Sequence, residues 1–506
     1  MQNPLYDALF APLVARQMVL LRLQNGTQIS GDAFHKMIAR AANALRALGV
    51  LPGDRVAVQI SKSPEALAIY AATVTIGAVF LPLNTAYTAA ELDYFIGNAT
   101  PRVVICDCGN DVALLPIVDR YAGRLYTLDG VGQGSFADLM ASQTASLTPA
   151  PRGPDDLAAI LYTSGTTGRS KGAMLTHGNL LSNAQALAGL WRFTDQDVLL
   201  HALPIFHTHG LFVASNVSLL TGGTMIFLPN FDVATVLHHL PQATVMMGVP
   251  TFYSRLLEAP GFTKSATAHM RLFVSGSAPL LAEIHARFHG RTGHHILERY
   301  GMTETNMNTS NPYDGARRAG TVGFALPKVE VKITADGAAL PQGEIGMIEV
   351  LGPNVFAGYW HMPEKTAEDL RPDGWFITGD LGMLDADGYL HIVGRSKDLI
   401  ISGGYNIYPK EIELLLDAVP GMAESAVIGL PHPDLGEAAF AVLTAKSGLM
   451  VDAAAVLETL TGVVARFKQP KAAVVLADLP RNAMGKVQKA ALRAQYADWF
   501  VGTKNS

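Results

Sequence analysis

The sequence predicts an α/β protein: a large N-terminal domain of mostly parallel sheets with helices and a small barrel-like β part, then a smaller α+β C-terminal domain. Three observations predict it. Helical patterns alternate with short apolar runs over the first 390 or so residues. From about Gly343 the runs become short strands separated by Gly-containing turns. A charged turn at 395–398 then opens about 110 residues with a strand–helix–strand pattern of their own.

Taken in order, EALAIYAATVTIG reads as a helix and AVFLPL as the strand after it; RVVICD and RLYTLD are further strands. ATVMMGVP and HMRLFVSGS each end a buried strand at a Gly- or Ser-containing turn. Strands separated by helices imply βαβ units and a parallel sheet covered on both faces. GMIEVLG, DGWFITGD and DGYLHIVGR read as an antiparallel or barrel-like part. SAVIGLP, FAVLTA and AAVVLADLP supply the strands of the last domain. The expected domains are therefore residues 1–395 and 396–506, with a boundary near Lys397. No fixed-period repeat or low-complexity segment interrupts this order.

Length and composition narrow the function. At 506 residues the chain is too long for one compact core. Apolar residues make up 49% and charged residues 16%, well under the typical ~25% charged, which fits a large interior and argues against disorder. Lys plus Arg number 38 against 43 acidic residues, so no basic field exists to attract nucleic acid. Cys106 and Cys108 cannot make a disulfide framework and read as plain thiols in a reducing compartment. The first residues carry Asp7 and no basic segment, unlike a secretory signal. The long uncharged stretch 66–90 contains Gly77, Pro82 and Asn84, which interrupt any spanning helix. The expected address is the cytoplasm, with no nucleic-acid or membrane partner.

The densest chemical signal is LYTSGTTGRSKGAMLTH, residues 161–177. An apolar strand runs into a loop with Gly165, Gly168 and Gly172, hydroxyls at Thr163, Ser164, Thr166 and Thr167, and Lys171. Glycines let backbone N–H groups converge on an anion, hydroxyls donate to phosphate oxygens, and the lysine adds a point charge. The spacing is not that of GxxxxGK[ST].

YTSGTTGRSKGA resembles the phosphate loop of the adenylate-forming superfamily, which includes acyl-CoA synthetases, peptide adenylation domains and beetle luciferases. Six further motifs of that superfamily follow in order: LPIFHTHG (203–210), VSGSAPL (274–280), YGMTET (300–305), WFITGD (375–380), GRSKDLIISGGYNIYP (394–409) and PRNAMGK (480–486). The resemblance implies ATP and Mg²⁺ as cofactors, and assigns roles position by position. Glu304 offers the hard oxygen that Mg²⁺ prefers, and Thr303 a hydroxyl for the α-phosphate. Gly276, Ser277 and Ala278, with Tyr300 and Gly301, look like the adenine slot. Asp380 grips the ribose hydroxyls and Arg395 helps. Lys486, alone a solvated cation, is placed by the family at the α-phosphate and the attacking carboxylate. Lys397 is the hinge about which the small domain turns. Gly403 and Gly404 then line a channel for pantetheine, and Lys468 and Lys471 are candidates for CoA phosphates. In related enzymes the lysine matching Lys486 can be acetylated, so a lysine acetyltransferase is an implied partner.

The acid is set by a pocket. A short dicarboxylate needs a cation for its second carboxylate, because burying that charge unpaired is costly. Arg255, in the helix expected after Pro250, is the candidate clamp, with His207 and Ser277 as further donors. VPTFYSRLL and PIFHTHGLF are most similar to malonyl-CoA synthetases, which implies a malonate–CoA ligase, with methylmalonate as a further substrate. Two alternatives stand beside it: a short-, medium- or aryl-chain acyl-CoA ligase, and a catalytically silent regulator binding nucleotide or acyl groups.

Overall fold

The computed structural model describes residues 3–163, 170–403, 405–482 and 485–501. Two compact units emerge: residues 1–331 with 350–376, and residues 332–349 with 377–506.

The first unit holds two large sheets. In one, five strands run parallel in the order Arg124–Thr127, Val103–Cys106, Arg55–Gln59, Val79–Pro82 and Leu157–Thr163, with Lys171–Thr176 antiparallel at the edge. In the other, six strands run parallel: Leu297–Tyr300, Leu272–Ser275, Val245–Gly248, Val198–His201, Thr224–Phe227 and Val19–Leu23. The strand segments Val79–Pro82, Val103–Cys106, Val245–Gly248 and Leu272–Ser275 are buried along their whole length. That is why each reads as an unbroken apolar run rather than an alternation.

Helices cover these sheets. Pro64–Thr75, the helix read from EALAIYAATVTIG, starts with Ser63 accepting from the Ala66 N–H at 3.1 Å and has Pro64 in its first turn. Every one of its residues except Glu65 is buried, so it is apolar on all sides. Pro250–Glu258 buries Tyr253, Leu256 and Leu257 against a core that includes Phe262, Phe273 and Phe288.

A five-stranded sheet runs in the order Ala338–Ala339, Glu330–Ala335, Gly346–Leu351, Phe376–Leu384, Leu390–Arg395, its first two and its last two strands antiparallel. A further sheet pairs Met422–His432 with Gly436–Ala445 over eleven and ten residues, joined by Ala472–Leu476 in parallel. Residues 377–395, expected with the N-terminal domain, group by contact with the second unit. The reason is local: Leu390–Arg395 packs on the helix Pro409–Asp417, and Arg493 pairs with Asp398. Among the described residues, no helix is long and apolar enough to cross a membrane.

Candidate active site

Four neighbouring parallel strands of the first unit carry the site motifs on their C-terminal ends. Val198–His201 leads into 203–210, Val245–Gly248 into Pro250–Glu258, Leu272–Ser275 into Gly276, Ser277 and Ala278, and Leu297–Tyr300 into Gly301, Thr303 and Glu304. Parallel strands that end together form the edge where open α/β sheets bind ligands. Buried polar atoms without a hydrogen-bond partner gather along the same segments: Thr208 Oγ1, His209 Nε2, Ser275 Oγ, Arg299 Nε and Nη2, Thr305 Oγ1, and both amide atoms of Asn306. Buried polar groups are normally paired, so this cluster makes the strand ends a candidate site for a bound molecule.

Arg299 is the outstanding member. It is 3% exposed, and burial pushes its guanidinium down to about 9. Gly276 makes room for it: a Cβ there would overlap the guanidinium carbon. His209 lies within electrostatic reach. Burial first, and then Arg299, His207 and His201, hold its imidazole well below the usual histidine range. His209 Nδ1 is 3.2 Å from Ser277 Oγ. Ser277 has φ +72°, a left-handed conformation that costs a non-glycine residue energy and is found where a site demands it.

Arg255 does not join this group. It is exposed on Pro250–Glu258, whose buried face is Tyr253, Leu256 and Leu257. Arg255 thus stands apart from these buried groups; the buried guanidinium among them is Arg299, one residue before the YGMTET motif. His207 is half-buried, and it is His209 that meets Ser277. One signal for Arg299 was present: Glu298 and Arg299 are consecutive charges in a strand that otherwise reads as buried.

The phosphate-loop flanks form an antiparallel pair with Thr163 opposite Lys171. Ser164, Gly165, Thr166, Thr167 and Gly168 lie outside the described residues. Lys171 is buried and donates to the Tyr359 hydroxyl at 3.0 Å and to Asp369 Oδ2 at 3.4 Å. That hydroxyl in turn reaches Glu304 Oε1 at 3.1 Å and Asp369 Oδ2 at 3.2 Å. Two carboxylates, a lysine and a tyrosine thus converge; Tyr359 and Asp369 were not singled out by the sequence motifs. Glu304 and Asp369 are the carboxylates able to hold a divalent cation together with phosphate oxygens and water, as magnesium prefers. Tyr300, Gly301 and Thr303 are half-buried beside them.

In the second unit, Asp380 is 3% exposed and receives Arg395 Nε at 2.8 Å. Lys397 is exposed on a short 3₁₀ turn, and desolvation, then Arg395, lower its pKa. Gly403 has φ +55° and donates to Leu435 O at 2.9 Å; Gly404 lies outside the described residues. Lys468 is held by both Glu411 oxygens at 2.7 and 2.8 Å, which offsets its charge, whereas Lys471 is exposed. Lys486 is exposed on a tight turn closed by Asn482, whose N–H donates to Lys486 O at 2.9 Å and whose Oδ1 accepts the Lys486 N–H at 3.0 Å.

Comparison with known families decides the lineage. A model described as "AMP-binding enzyme" matches residues 13–360, and its C-terminal domain model matches 411–486. The chain belongs to the AMP-binding enzyme family. Among relatives of this AMP-binding enzyme, a feruloyl-CoA synthase of Amycolatopsis sp is 38% identical over 478 residues, covering 93% of this chain and 94% of its own. A malonate–CoA ligase of Arabidopsis thaliana is 35% identical, covering 88% and 78%. The crystal structure of ATP-bound MatB from Rhodopseudomonas palustris superposes with a TM-score of 0.97 at 55% identity, covering 99% of this chain and all of that one.

Proposed function

We propose that this AMP-binding enzyme is a malonate–CoA ligase, with methylmalonate as a further substrate. The class, an AMP-forming acid–thiol ligase, follows from the family; the acid is the new element. One observation carries it: a fully buried guanidinium, Arg299, with two unpartnered nitrogens beside Gly276, Ser277 and His209. A buried cation without a counter-charge is costly, and a ligand carboxylate supplies the missing charge through parallel N–H bonds. A monocarboxylic acid spends its only carboxylate on ATP. A three-carbon diacid has a second one to offer. The similarity to the Arabidopsis malonate–CoA ligase and to MatB supports the same reading.

In the first half-reaction a malonate carboxylate oxygen attacks the α-phosphorus of ATP, forming a P–O bond as pyrophosphate leaves. Lys171, Thr163, Thr303 and the 164–168 loop hold phosphate oxygens, and Asp380 with Arg395 holds the ribose. Bound Mg²⁺ at Glu304, with Asp369 beside it, would offset phosphate charge. Lys486 does the same at the attacking carboxylate. In the second half-reaction the CoA sulfur attacks the acyl carbon, forming the C–S bond as AMP leaves and the thiol proton is released. Movement about Lys397 brings Gly403 and Gly404 to the pantetheine arm, with Lys471 the freer of the two candidate phosphate contacts.

The test is an acid panel read by pyrophosphate release: malonate, methylmalonate, acetate, butyrate, octanoate and ferulate, with wild type, Arg299→Met and Arg255→Met. The expectation is malonate preference, a loss of at least 100-fold in malonate kcat/KM for Arg299→Met, and little change for Arg255→Met. Undiminished malonate turnover in Arg299→Met would overturn the assignment.

A further inference from the structure

Lys62 lies between the strand Arg55–Gln59 and the helix Pro64–Thr75, one residue before the cap Ser63. A lysine there has the wrong sign for the positive end of the helix dipole, and it is 9% exposed. Its position is explained by what it binds. The ammonium nitrogen is 2.9 Å from His201 Nδ1, 2.8 Å from His201 O and 2.9 Å from Leu203 O, and it sits 4.3 Å from the Phe227 ring centroid. Three protons meet three acceptors, none of them a carboxylate.

The tautomer of His201 follows from its other side. His201 Nε2 is 2.9 Å from Gly210 O, which can only accept, so Nε2 carries the proton and Nδ1 is the acceptor for Lys62. Ser215 Oγ stands 3.1 Å from the same Nε2 and donates to Gly210 O at 2.9 Å. Gly210 is fixed from behind as well, because a Cβ there would overlap Pro204 O. The residue preceding it is His209, whose Nδ1 faces Ser277 Oγ. An unbroken buried chain therefore runs from Lys62 through His201 to the turn that aims His209 at the Arg299 pocket.

We propose that Lys62 and His201 are positioning residues for the acid-binding turn: the buried ammonium locks His201 in one neutral tautomer, and His201 holds the Gly210 carbonyl and hence His209. The identity of the acid rests on the function proposed above; the positioning role does not. The Lys62 nitrogen is engaged by His201 and Leu203, so its loss acts through the turn on recognition of the acid and spares that of ATP.

The experiment compares KM for malonate, KM for ATP and kcat in wild type, Lys62→Met and His201→Gln, with thermal unfolding of each. Lys62→Met keeps the length and removes the charge. His201→Gln keeps an N–H for Gly210 O and removes the acceptor for Lys62. The expected result is a rise of about tenfold in malonate KM for Lys62→Met and a smaller rise for His201→Gln, with KM for ATP and kcat within about twofold. An unchanged malonate KM, or equal losses in both KM values, overturns the proposal; if Lys62→Met does not fold, His201→Gln alone is decisive by the same criteria. If wild type turns over another acid instead, the malonate reading fails, and the same KM split measured with that acid still decides the role of Lys62.

Discussion

Arg395 Nε meets Asp380 Oδ1 at 2.8 Å, and the two residues stand directly opposite each other across the antiparallel pair Phe376–Leu384 and Leu390–Arg395. The Asp380 N–H is taken by Thr378 Oγ1 at 3.1 Å, and Thr378 donates to Ile348 O at 2.8 Å. Arg395 thus holds the carboxylate while Thr378 fixes the Asp380 backbone. Residues of two different motifs form one unit by strand register.

Asp380→Asn keeps the shape and removes the charge that would accept two ribose hydroxyls. Hydrogen bonds to a charged group contribute about 1.5–3 kcal/mol, so KM for ATP should rise roughly 10- to 100-fold. Arg395→Leu leaves Asp380 buried without its cation and should lower both ATP affinity and thermal stability. The double variant should lose less than the sum of the two, since one interaction is removed twice. Strict additivity would show that the pair does not act as a unit.

Lys486 offers a separation of the two half-reactions. Lys486→Ala should lower acid-dependent pyrophosphate release by about 100-fold or more, while CoA thioester formation from supplied malonyl-adenylate stays within a few-fold of wild type. Equal losses in both assays would place the residue in binding or folding. Gly404→Leu should show the reverse pattern, because a branched side chain would block the pantetheine path proposed at that glycine.

Much of this site was legible because its motifs are local. Strand ends followed by Gly, Ser and Thr show in the sequence wherever a parallel sheet delivers its loops to one edge. What was not legible depended on direction. Arg255 sits in a helix of the expected position, yet the apolar set Tyr253, Leu256 and Leu257 takes the inward stripe and leaves Arg255 to solvent. Arg299 hides in a strand beside Glu298, and only the packing of Gly276 against its guanidinium shows which of the two faces the pocket. Tyr359 and Asp369 lie in sequence between motifs and reach Lys171 through tertiary contacts that no local pattern encodes.

The Tyr359 hydroxyl has one proton for two carboxylates, Glu304 at 3.1 Å and Asp369 at 3.2 Å, and accepts from Lys171. Tyr359→Phe removes the shared donor: Asp369 keeps Lys171 and Lys365, whereas buried Glu304 loses the hydroxyl that links it to them. The expected outcome is a rise of about threefold to tenfold in the Mg²⁺ concentration giving half-maximal activity, with KM for the acid unchanged. An identical Mg²⁺ titration in wild type and Tyr359→Phe would remove the hydroxyl from this role.

His177 is fully buried, neither ring nitrogen has a hydrogen-bond partner, and burial, the dominant cause, lowers its pKa to about 4. As pH falls below 6.5 the unfolded chain takes up a proton at this ring that the folded protein refuses until about pH 4. Stability is therefore lost as pH falls through that window, by roughly 3 kcal/mol from this residue. Buried His201 and His209, both lowered, act with the same sign. Glu298 opposes them: its carboxyl is pushed up to about 8 by burial, so the folded state holds a proton that the unfolded chain releases above 4.5, and this contribution is lost as pH rises from 4.5 to 8. The net slope thus mixes both, and a single substitution isolates one. His177→Leu, which fills the space without titrating, should flatten the dependence of urea-unfolding free energy on pH between 4.5 and 6.5 relative to wild type. Parallel curves for the two proteins across that interval would mean that His177 is protonated as readily in the folded state as in the unfolded one.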